Sequence, residues 1–203
     1  MKVLKLNEYI EYIDVEFKGV SPLSVKAIRT DHKNNSLKSK LDLNCLKSCD
    51  YIKFKGFKTL TLIECSDLDR QKRYLDNSLE NLILQCDKEQ SGELKKCASV
   101  VKKQYKKIAT NVIVEELKTK YKDSLLLVNK ITDKCDINFT QRFDKRNFYI
   151  VTNKLEVSSK DASIAKDKLK KDLERELKDS MYFIVDSVKV FSPEKLQKEL
   201  SLF

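Results

Sequence analysis

The chain is 203 residues long, 41% hydrophobic and 35% charged, with only three glycines and two prolines. That length suits one substantial core, and so few turn residues exclude a turn-rich all-β fold in favour of long helices with a few strands. Forty-one Lys and Arg against 31 Asp and Glu give a formal charge of +10, a field that favours polyanions.

In chain order, Leu6, Tyr9, Ile10 and Ile13 recur at helical spacing and predict a short amphipathic helix over 6–13. Gly19 and Pro22 punctuate, and Val25, Ala27 and Ile28 mark a strand over 24–30. Residues 31–48 are polar and read as a long loop with an ordered stretch near Leu41 to Leu46. Two strands follow, 51–55 and 59–65, joined around Gly56, and then a helix over 67–86 whose stripe is Leu75, Leu79, Leu82 and Cys86.

A second helix is predicted over 92–121 from Leu94, Ala98, Val101, Tyr105, Ile108 and Val112, with Lys102, Lys103, Lys106 and Lys107 on its outer surface. Strands at 124–131 and 147–152 precede a charged helix over 160–178. A strand over 181–191 follows, and Ser192-Pro193 starts a terminal helix. These elements define a mixed α/β fold, a central mixed sheet flanked by helices, in one domain over 1–203.

No run approaches the ~20 apolar residues of a membrane span, and residues 1–12 have no continuous apolar stretch. The expectation is a cytoplasmic protein without membrane contact. Its six cysteines, of which only Cys45 and Cys49 are close in sequence, are expected to be reduced core thiols rather than zinc ligands. Three separated glycines exclude a P-loop, and the single histidine, His32, lies in the polar loop, where it makes a poor catalytic base.

The hairpin carries the most specific chemistry. Asp50, Ile52 and Phe54 alternate on one strand, and Leu60, Leu62 and Glu64 on the next. Burying the four apolar residues together requires an odd-length turn, for example Lys55-Gly56-Phe57. The same parity places Asp50 and Glu64 on one face as near-diagonal neighbours, within reach of one divalent cation.

Cys49-Asp50-Tyr51-Ile52, a turn, and Leu60 to Ser66 together resemble the core of the PD-(D/E)xK nuclease superfamily. There an Asp opens one strand, a Glu-x-Lys ends the next and a helix follows. The resemblance covers residues 5–131 as an order of elements and leaves 132–203 as a C-terminal β-α-β-α extension. It implies Asp50, Glu64 and Ser66 as the catalytic positions, with Ser66 standing where the family has lysine. It also implies Asp50 and Glu64 as ligands of Mg2+ or Mn2+, with a further acid, Glu8 or Glu11, from a helix before the sheet; Glu11 completes the metal set. Arg70 or Lys72 could replace the missing cation.

Together with Lys102, Lys103, Lys106 and Lys107, those two residues form the expected contacts to DNA or RNA. The function expected is a nucleic-acid-associated protein with a nuclease-like metal site, active as a phosphodiester hydrolase or lapsed. The alternative is a non-catalytic factor of phage or mobile-element type that binds a host protein. The oligomeric state is left open.

Overall fold

Six strands lie in the sheet in the order in which they occur in the chain: β1 (Ile10–Tyr12), β2 (Lys26–Arg29), β3 (Tyr51–Lys55), β4 (Thr59–Cys65), β5 (Lys145–Val151) and β6 (Ser187–Phe191). The structure is a computed structural model that describes residues 4–31, 36–56, 58–68, 70–71, 74–75, 77–78, 81, 92–134, 143–153 and 160–201. β1 to β4 form an antiparallel meander, and β5 and β6 add parallel to β4. The two strands expected in a C-terminal extension therefore continue the same sheet.

Alternation along the strands divides the apolar residues between two faces. Ile28, Ile52, Leu60, Leu62, Phe148, Ile150, Val188 and Val190 belong to the larger core. It is closed by the helices α2 (Gly92–Lys134) and α3 (Lys160–Ser180), which contribute Leu117, Tyr121, Leu127, Leu173 and Leu177. Ala27, Tyr51, Ile63, Tyr149 and Val151 point the other way, into a smaller core with Ile13, Val15 and the terminal helix α4 (Pro193–Ser201) through Leu196 and Leu200. The protein is thus a mixed α/β fold with a six-stranded mixed sheet between helices. Among the described residues, no helix is long and apolar enough to cross a membrane.

Three expectations are corrected. The segment 124–131 is not a strand but part of α2, which runs unbroken for 43 residues, about 65 Å at 1.5 Å per residue. Its buried residues Leu117, Tyr121, Ser124, Val128 and Ile131 step by fours and threes with Leu127 beside them, so one helical stripe crosses the apolar run that also fits strand alternation. Residues 6–13 form a 3-10 turn (Leu6–Tyr9) that passes directly into β1. Of residues 181–191 only 187–191 are a strand; 181–184 form a turn after α3.

In the polar segment, Ser36 caps a short helix, α1 (Leu37–Lys40), by accepting from the Ser39 N–H. Leu37 and Leu41 are buried beneath it. Leu68, Arg70, Gln71, Tyr74, Leu75, Asn77, Ser78 and Asn81 are helical where a helix is expected after β4; Leu79, Leu82 and Cys86 lie outside the described residues.

Candidate functional site

The β3–β4 register pairs Tyr51 with Ile63, Ile52 with Leu62, Phe54 with Leu60 and Lys55 with Thr59. The parity is the one the apolar pattern requires, with the turn one residue later than 55–57. That shift moves Asp50 from diagonal to directly opposite Glu64, one step past Tyr51 and Ile63. Directly opposite residues have Cα atoms about 4.5–5.5 Å apart. Both acids stand on the α2 side of the sheet, at the carboxyl ends of the parallel strands, where open α/β sheets place their ligands.

Glu64 is 1% exposed. Its Oε1 accepts from Lys120 Nζ at 2.6 Å, whereas Oε2 is buried and has no hydrogen-bond partner among the described residues. Asp50 Oδ2 accepts from the Cys65 N–H at 2.7 Å. Burial and the Asp50 charge push the Glu64 carboxyl up to about 8, with Lys120 offsetting only part of this. Burial also raises Asp50, against the opposing pull of the Cys65 N–H and Lys120. Two desolvated acids that resist ionising together, beside one ammonium, form an environment typical of working sites.

Lys120 comes from α2 and also meets Glu116 at 3.5 Å. Ser124, one turn further on, fixes its position. The Ser124 hydroxyl donates to the Lys120 carbonyl and accepts from the Cys49 N–H, both at 2.7 Å. This one buried side chain therefore ties the helical turn carrying Lys120 to the residue before Asp50. Neither Lys120 nor Ser124 stands out in the sequence. A strand at 124–131 would cut the helix just where its stripe sets both against the hairpin. The Glu116–Lys120 spacing is the one legible signal.

The other expected residues divide. Ser66 is buried at the same sheet edge, where its backbone N–H meets the Val151 carbonyl and its hydroxyl accepts from Gln71 Nε2 at 3.2 Å. Thr152, one residue beyond Val151, has a buried hydroxyl without a hydrogen-bond partner among the described residues. Arg70 is exposed and lines a groove of about 310 Å3 with Tyr74, Val112 and Glu116, so it shares Glu116 with the Lys120 cluster.

Glu11 does not join the pair. On β1 it pairs with Ala27 of β2, so strand alternation turns it to the opposite sheet face, where it meets Arg29 at 3.6 Å. Glu8 is exposed in the 3-10 turn. Lys72 and His32 lie outside the described residues, as do the side chains of Lys102, Lys103, Lys106 and Lys107.

Among the described residues, no group of three or more His, Cys, Asp and Glu side chains is arranged to hold a metal ion. A cation here would rest on two carboxylates and water, which Mg2+ accepts. The partnerless Glu64 Oε2 and the mutual repulsion of the two acids fit such a guest. Cys49 and Cys65 border the site as free thiols held well above their ordinary range by burial, so they remain protonated and unreactive.

The fold and site thus define a mixed α/β protein with a buried Asp–Glu–Lys cluster at the carboxyl edge of its parallel strands. The chain matches no family model, no curated protein and no solved structure.

Proposed function

We propose that this is a nucleic-acid-associated protein whose Asp50–Glu64 pair forms a nuclease-like site of the PD-(D/E)xK kind, with Lys120 supplying the ammonium that Ser66 cannot. The observation that carries the reading is the Glu64 carboxyl group, inaccessible to solvent, held by Lys120 on one oxygen and partnerless among the described residues on the other. A purely structural buried ion pair normally satisfies both oxygens, because an unmet buried acceptor costs roughly 1–3 kcal/mol. Here that cost is retained next to a second acid.

Asp50 and Glu64 would hold Mg2+ or Mn2+, which when bound supplies Lewis-acid stabilisation of a phosphoryl oxygen and an activated water. The chain's own part is positional and electrostatic. Cys65 fixes Asp50 through its backbone N–H, and Ser124 fixes the turn that carries Lys120. The ammonium beside Glu64 offers a positive charge where negative charge grows on a phosphodiester. Ser66, engaged by Gln71, shapes the strand end and contributes no cation.

The test is cleavage of labelled DNA and RNA with Mn2+, Mg2+ or EDTA. Metal-dependent cleavage is expected to vanish in Asp50→Ala and Glu64→Ala. Lys120→Ala is expected to lose roughly a hundredfold in rate, the effect of removing one preorganised donor. Absence of cleavage with Mn2+ binding that Asp50→Ala abolishes would identify a lapsed site. Absence of both would leave the protein-binding reading, which the exposed Tyr182 and Phe183 at the turn after α3 would serve.

A further inference from the structure

The second sheet face changes character along its strands. Towards the carboxyl edge it is apolar, with Tyr51, Ile63 and Tyr149 in one core with Ile13, Val15 and the α4 residues Leu196 and Leu200. Towards the opposite edge the rows become Lys53–Thr61–Asn147–Ser187 and Lys55–Thr59–Lys145. The end of α4 reaches this region with Glu199 and Leu200, and beside it lies a groove of about 720 Å3, in the size range of ligand sites.

Its walls carry Lys55, Lys58, Lys145 and Lys189, with the neutral hydrogen-bonding groups of Asn147 and Ser187 between them. The one carboxylate among the described residues that line it, Glu199, is already neutralised by Lys189 at 2.8 Å and accepts from the Tyr149 hydroxyl at 3.3 Å. Lys58 and Lys145 are exposed, and neither makes an ion pair among the described residues. The Lys145 N–H donates to the Lys58 carbonyl, which fixes the two main chains at the groove that both residues line.

We infer that this groove binds phosphate groups, those of a single-stranded oligonucleotide. Compact ammonium groups set among neutral hydrogen-bonding side chains suit phosphodiesters, which need point charges and no apolar anchor. The groove lies across the sheet from the carboxylate pair, about 17 Å away along β4 (Thr59 to Glu64 at ~3.3 Å per residue). It therefore stands independently of the nuclease-like reading. A free nucleotide carries the same phosphate chemistry and is the second source to distinguish.

The experiment is fluorescence anisotropy of a fluorescein-labelled deoxythymidine ten-mer, in EDTA, on the full chain across a range of NaCl concentrations. The Lys58→Glu/Lys145→Glu variant should bind at least tenfold more weakly, with a log–log salt slope shallower by about 1.4, or ~0.7 for each phosphate no longer neutralised. Both side chains are exposed, so circular dichroism and melting should match the wild type. Displacement of the ten-mer by thymidine monophosphate at comparable concentration would support the phosphate site and make a mononucleotide its occupant. Unchanged binding by the double variant, no binding by the wild type at low salt, or equal displacement by poly-glutamate would overturn the inference.

Discussion

Replacing Glu64 by Gln removes a carboxylate that the fold holds at a disadvantage. Its folded-state pKa of about 8 lies far above the ordinary 4.5. Between those values the native state binds more protons than the unfolded chain, so stability declines as pH rises through this window. Full expression of the shift is worth roughly 5 kcal/mol at 1.36 kcal/mol per pH unit, an upper bound because Lys120 relaxes with its partner. The variant should match the wild type near pH 5, where Glu64 is protonated in the native state. By pH 8 it should be more stable by roughly 2–5 kcal/mol.

Gln keeps the shape and can still accept from Lys120, which also retains Glu116. The assay is urea unfolding at pH 5, 6, 7 and 8 in EDTA, followed by circular dichroism. A variant less stable than the wild type at pH 8 would refute the reasoning. It would mean that the Glu64–Lys120 pair is a net structural asset rather than a strained site.

Divalent-cation affinity should rise with pH up to about 8 and then level off, because Glu64 must lose its proton to ligate; calorimetry in buffers of different ionisation heat would detect the released proton. Ser124→Ala strands the Cys49 N–H in the core and should cost about 1–3 kcal/mol in urea unfolding, while lowering any cleavage rate by loosening the Lys120 turn. Leu62→Ala, at a fully buried position facing α2, should cost about 2–5 kcal/mol in the same assay. Ser66→Ala should change cleavage far less than Lys120→Ala, because the serine hydroxyl is engaged by Gln71.

The hairpin was legible because burying Ile52, Phe54, Leu60 and Leu62 together allows only one parity, and parity carries Asp50 and Glu64 with it. The terminal helix was legible from Ser192-Pro193, a local start signal. The region around Leu125 to Val128 was not, since a short apolar run satisfies both a buried strand and a buried helical turn. Only the contacts of Tyr121, Leu127 and Ile131 across the sheet decide between them. That ambiguity hid Lys120, whose role depends on a helix crossing β4 rather than on any motif near Glu64. Glu11 failed for the complementary reason: a strand replaced the expected helix, and alternation sent its side chain to the far face.

The most direct measurement of the central claim is calorimetric titration of Mn2+ into the full chain at pH 8, beside the Asp50→Asn/Glu64→Gln variant. Binding of one ion by the wild type and none by the variant is the predicted result. No binding by the wild type, or equal binding by both, would contradict it.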